Sequence, residues 1–328
     1  MIPARLTHSW PDCSFSDQPI DLAVRMNSTQ SPAQRALSSF VLLSSLLGAS
    51  VAIAAPPACP TVAVYRPGVF SSEAHYEWRL SFTPSRKTAY WHISDDFLPT
   101  IPQGVIVTST LGPKGWSRAR TASFSGKYAD NDAYVSPDGS TFLFSSMRPV
   151  DGVARKDFDL WMMRRTVDGW SEPMHLAGAV NSGKEELYPS MDRQGNLYFG
   201  SDRDGGFDVW RSRRQRDGSF AAPEKLGSGV NTKDFWEFNP EISPDGKTLL
   251  FVGLNRPDGI GWGDIYVSRL RDGKFTPARD LGPCVNTGKD DFHPTVLWRE
   301  NKLVFVRNPD EPGKKSDFLI TELRLPPE

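Results

Sequence analysis

Five acidic residues recur along this chain, each followed 13 or 14 positions later by an aromatic residue that anchors an apolar strand. The pairs are Glu77 with Trp91, Asp130 with Phe144, Glu186 with Phe199, Glu237 with Phe251, and Asp291 with Phe305. Two positions after each acid stand Arg79, Asp132, Tyr188, Asn239 and His293. Strand residues two apart point the same way. Two rings of converging side chains are therefore expected if the five segments gather about one axis. Crowded carboxylates raise one another's pKa values or recruit a cation. The chemistry expected at such a mouth is capture of a cation, a sugar or a basic peptide. A recurring acid equally fits a structural role, tying down a neighbouring segment through backbone N–H groups or an arginine. The residues that differ among copies, Arg79, Tyr188, Asn239 and His293, are the ones expected to confer specificity.

Aromatic residues cluster beside these acids: Tyr76, Trp78, Tyr188, Phe235, Trp236, Phe238 and Phe292. Rings next to carboxylates suit sugars, with faces stacking on C–H groups and acids accepting hydroxyl hydrogen bonds. Most of these rings also suit blade packing, and Trp236 is the expected exposed platform. Asp202, Asp204 and Asp208 flank Gly205 and Gly206, a weak calcium-loop pattern that lacks the later Glu of an EF-hand. His75 and His293 lack a third metal ligand. No nucleophile elbow, phosphate loop, His-Glu-x-x-His or paired-Cys motif is present. No cofactor is expected.

The elements that position these residues repeat with them. The aromatic anchors lie 53, 55, 52 and 54 residues apart. A period near 50 is the mark of a β-propeller with four-stranded blades. In the clearest copy, Glu237 opens a first strand, Ser243-Pro244-Asp245-Gly246 makes a turn, and a second strand carries Phe251. A Pro/Gly loop, a third strand at Asp264-Ile265-Tyr266, an Asp272-Gly273 turn and a fourth strand follow. The last copy has only three strands. Val62 to Tyr65 is expected to supply its fourth, closing the ring and covering an exposed edge. The expected fold is all-β: a five-bladed propeller of antiparallel four-stranded blades over residues 55–328.

The Ser-Pro-Asp-Gly turns, the aromatic second strands and the Asp-Ile-Tyr third strand resemble the TolB-like β-propeller repeat, a WD40-like repeat rich in Pro-Asp-Gly turns. The resemblance spans about residues 60–325. It implies an exported propeller, commonly a periplasmic binding or scaffold module.

Lys plus Arg (38) nearly balances Asp plus Glu (39), so no global field favours nucleic acid. Basic residues recur near the third-to-fourth hairpins, among them Arg164, Arg165, Arg211, Arg213, Arg214, Arg269 and Arg271. The apolar run 36–53 after Arg35 reads as a signal peptide cleaved near Ala54. Residues 1–25 read as an over-extended frame before Met26. The mature chain is expected to be a monomer without a transmembrane segment, periplasmic or secreted. Cys59 and Cys284 fall at opposite ends of equivalent outer strands, which argues against a bridge between them. The favoured function is a non-catalytic scaffold that binds an envelope protein or glycan through the acidic, aromatic mouth. The alternative is a glycan-cleaving enzyme with Glu186 and Glu237 as acid and base.

Overall fold

The computed structural model describes residues 58–327 except 96–100, 102, 177, 310 and 312. The leader segment and its cleavage point lie outside the described residues. Five antiparallel sheets follow in chain order, each opening on one of the recurring acids or the residue before it. Their first strands are Tyr76–Phe82, Asp130–Val135, Glu186–Met191, Trp236–Ile242 and Asp291–Leu297. Each pairs with a second strand that carries the aromatic anchor, and that strand pairs with a third. In the first, second and fourth blades the outer edge is split into two short pieces, such as Lys274–Phe275 and Arg279–Asp280. Among the described residues no helix is long and apolar enough to cross a membrane.

The anchors form the core. Trp91, Phe144, Phe199, Phe251 and Phe305 are each at most 2% exposed. Burying one such ring stabilises the fold by about 1.5–3 kcal/mol. Each blade interface has its own apolar cluster, including the one between the last blade and the first, where Val304, Val306 and Phe318 meet Leu80, Trp91 and Phe70. The ring is therefore closed by packing.

It is also closed by hydrogen bonding. Ala63 and Val64 pair with Ile320 and Leu319, making the N-terminal segment the fourth strand of the last blade. Tyr65 N–H continues the ladder to Phe318 O. The chain is a five-bladed β-propeller of four-stranded blades.

One expectation is overturned. Cys59 and Cys284 form a disulfide, with Cα atoms 5.1 Å apart. The repeat register placed them on opposite faces because it extended the closing strand back to Cys59. That strand is only two residues long. The preceding chain leaves the ladder and runs onto the adjacent blade, where Val62 packs with Leu281 and Val285.

Candidate functional site

Each first strand is broken at the same place. The register slips between Trp78 and Ser81, Asn131 and Tyr134, Leu187 and Ser190, Phe238 and Glu241, and Phe292 and Thr295. The residue inside each bulge has left-handed backbone: Arg79 (φ 46°), Asp132 (58°), Tyr188 (59°), Asn239 (52°) and His293 (50°). Asn, Asp and His tolerate that region, whereas a bulky Arg or Tyr there is an outlier. Such strain costs on the order of 1–3 kcal/mol per residue and clusters at functional sites. Pro189, Pro240 and Pro294 follow three of these residues and, having no N–H, suit a gap in the ladder.

The bulge corrects the expectation that each acid and the residue two positions later point the same way. Period-two alternation fails where an extra residue is inserted. The acids turn into the blade and the bulge residues turn to the axis.

The acids are accordingly spent on structure. All five are at most 1% exposed. Each accepts from a Ser or Thr hydroxyl four or five residues upstream: Ser72, Ser125, Ser182, Thr232 or Thr287. Four are also bound by an arginine at or just past the end of the second strand. Arg148 reaches Asp130 at 2.7 Å, Arg203 reaches Glu186 at 2.9 Å, Arg256 reaches Glu237 at 3.5 Å and Arg307 reaches Asp291 at 2.7 Å. Three of these guanidinium groups also lie over their own blade's anchor ring, Phe144, Phe199 or Phe305. Each of these four acids thus ties the entering loop to the end of the second strand. Glu186 and Glu237 are held in this way in separate blades.

Glu77 is the exception. Among the described residues no arginine pairs with it and its Oε2 has no hydrogen-bond partner, and burial pushes its pKa from 4.5 up to about 8. A raised carboxyl pKa gives stability that is fully present below 4.5 and lost as pH rises through 8. Glu77→Gln is therefore expected to remove that fall and to be more stable than wild type by a few kcal/mol near pH 9. Glu186→Gln weakens the hold on the nearly buried Arg203 and is expected to cost about 1–3 kcal/mol instead. Denaturant unfolding of both variants at pH 5 and pH 9 checks the contrast.

On the axis, the bulge residues bind one another across blades. Asp132 Oδ2 accepts from Tyr188 N–H (3.1 Å) and Ser145 Oγ (3.1 Å). Asn239 Oδ1 accepts from His293 N–H (3.2 Å), and His92 Nδ1 accepts from Asp132 N–H (3.0 Å). Arg79 crosses the channel and donates to Pro189 O, Pro240 O and Glu241 Oε2 (3.1–3.3 Å). Beside this plug, three buried atoms have no hydrogen-bond partner among the described residues: Asp132 Oδ1, which has His92 Nδ1 at 3.9 Å, Asn239 Nδ2 and His293 Nδ1. Buried polar atoms are nearly always paired, so each orphan calls for an explanation. Trp78 stacks on His92 at 6.1 Å and meets His293 edge-on at 5.3 Å. Tyr188 lies 5.5 Å from the ring of His293. Burial lifts Asp132 to about 6, lowers His92 to about 3 and holds His293 well below its usual 6.5. At neutral pH this buried cluster therefore holds one carboxylate, two neutral imidazoles and an amide.

The remaining candidates lie elsewhere. Lys225 reaches Asp208 at 2.5 Å and Asp204 at 3.9 Å, while Asp202 Oδ1 accepts Glu185 N–H, so a lysine neutralises the suggested calcium loop. No cluster of His, Cys, Asp and Glu suited to a metal occurs among the described residues. His75 pairs with Asp95 in an exposed contact, whereas His293 is buried on the axis. Trp236 is half-buried against Phe207, and the more exposed indole is Trp262, at 47%. Arg211 and Arg213 both pair with Glu224. Sequence reasoning missed His92, which sits in a second strand outside the recurring positions.

No protein-family model matches the chain, and no curated protein sequence matches it. Solved structures do. A putative TolB from Agrobacterium tumefaciens superposes with a TM-score of 0.50 at 15% identity, covering 76% of this chain and 84% of that one. A glycoside hydrolase superposes with a TM-score of 0.53 at 6% identity, covering 82% and 94%. At these identities the likeness is one of fold: this chain shares the β-propeller architecture of both.

Proposed function

We propose that this protein is an exported propeller that binds a glycan without cleaving it, at the acid-bearing end of its channel. The observation that carries this reading is the set of orphan atoms on the axis. A sugar hydroxyl both accepts and donates, so it can take the Asn239 amide hydrogen and give its own to Asp132 Oδ1. The half-buried rings of Tyr188, Phe238 and Trp236 offer faces for a pyranose on the approach. The disulfide supports export, since such bridges persist in oxidising compartments. The fold shared with a putative TolB is consistent with a binding module and does not by itself argue for it.

Asp132→Asn is the informative variant. It keeps the shape and an acceptor for Tyr188 N–H, removes a buried charge and converts the orphan acceptor to a donor. It is expected to fold at least as stably as wild type. A charge-assisted hydrogen bond contributes about 1.5–3 kcal/mol, so affinity for a glycan picked from an envelope-derived array should fall roughly 10- to 100-fold. Wild-type affinity should also weaken as pH falls through about 6, where Asp132 takes up a proton while His92 stays neutral. Titration calorimetry with product analysis reads both. Unchanged affinity in Asp132→Asn, or cleavage of the bound glycan, would contradict the proposal.

A further inference from the structure

At the other end of the channel, where the turns between first and second strands converge, is a cavity of about 160 Å³. Arg79 and Glu241 fill the channel above it, so it does not share the axial site's orphan atoms. Its walls are mixed, and their apolar part comes from several blades: Phe82, Pro137, Pro244 and Trp298 among them.

Its charges do not cancel. Glu241 forms part of the lining and is paired with Arg79 at 3.2 Å, with its second oxygen accepting from Val296 N–H. Glu300 is paired with Arg86 at 2.9 Å. Arg193 and Arg299 also line the cavity, and neither has an ion-pair partner among the described residues. Both are exposed, so they stand at the opening rather than in the packed interior. Two unpaired guanidinium groups beside an apolar hollow form a particular combination. Guanidinium forks match the geometry of a carboxylate. An apolar cavity of about 150 Å³ is large enough for a benzene ring.

We infer that this cavity is a second binding site, for a small carboxylate with one apolar ring. The ring lies among Trp298, Phe82 and the prolines, and the carboxylate meets Arg193 and Arg299. The site is independent of glycan binding at the opposite end.

The test uses the mature chain, with benzoate, benzyl alcohol and inorganic phosphate as probes, followed by calorimetry. Benzoate is expected to bind saturably. Its affinity should drop at least about tenfold in the double variant Arg193→Gln/Arg299→Gln, and benzyl alcohol should bind at least about tenfold more weakly than benzoate, since both comparisons remove the charged pairing. Because both arginines are exposed, the variant should melt with wild type, which separates lost binding from lost folding. Asp132→Asn should leave benzoate binding unchanged, which separates this site from the axial one. Equal affinity of the double variant, phosphate binding as tightly as benzoate, or no saturable binding of benzoate would each overturn the inference.

Discussion

Arg79→Met is expected to destabilise the propeller by roughly 3–5 kcal/mol, the usual cost of stranding one partner of a buried ion pair. The Arg79 side chain is 1% exposed, and its nearest carboxylate, Glu241, is 7% exposed. Its guanidinium also satisfies the carbonyls of Pro189 and Pro240, which the bulges release from their ladders. Methionine fills much of the same volume but donates nothing. Glu241, already lifted to about 7 by burial, would then face no cation. A carboxyl with a raised folded pKa loses stability as pH rises, so the deficit should deepen through pH 7 and above. Adding Glu241→Gln to Arg79→Met should recover a substantial part of it at pH 8. Denaturant midpoints of the single and double variants at pH 5 and pH 8 measure the effect. An Arg79→Met protein that unfolds with wild type would show that the plug is not a structural tie.

Loss of the disulfide is expected to cost a similar amount. Cys284→Ser opens a cross-link between residues 225 apart in sequence. In the chain-entropy account a loop of that length is worth on the order of 5 kcal/mol, and native bridges commonly contribute 2–5. Ala63 and Val64 are exposed and pair over two residues, with Tyr65 N–H extending the ladder to Phe318 O and the Tyr65 ring packing against Phe70 and Phe82. Beyond it, Val62 packs at the blade interface and Arg324 Nη1 donates to Ala58 O. The bridge therefore anchors the strand that closes the ring. Hydrogen exchange of Cys284→Ser should show residues 58–65 opening first, together with the third strand Asp317–Glu322 that they cover, and melting should fall by roughly 10 °C. Protection of those residues equal to wild type would contradict this.

The architecture was readable because it rests on composition and period. A large apolar anchor every 50-odd residues needs one interface per blade, and the unmatched third strand at the end needs a partner at the start. The site was only half readable. The variable residues after each acid, Arg79, Asp132, Tyr188, Asn239 and His293, do converge on the axis. The acids themselves do not face it, because a single inserted residue per strand reverses the side-chain alternation. One sign of that insertion was visible in the chain: Pro189, Pro240 and Pro294 stand in mid-strand, where a ladder cannot use them. The arginines that neutralise the acids also recur, as Arg148, Arg203, Arg256 and Arg307, and mark the acids as structural. His92 left no such trace. It stands in for Arg79, whose side chain reaches across the channel instead of capping the next blade, and only the fold reveals that exchange. The Cys59–Cys284 bridge was argued against for a different reason, since register arguments stop where the ladder stops.

A high-resolution structure with a bound glycan shows whether the strained bulge residues hold polar groups ready for a ligand. The expected result is a sugar hydroxyl within hydrogen-bond distance of both Asp132 Oδ1 and Asn239 Nδ2, with His293 Nδ1 on the same ring. An ordered water satisfying all three atoms, with the glycan bound elsewhere on the protein, would contradict it.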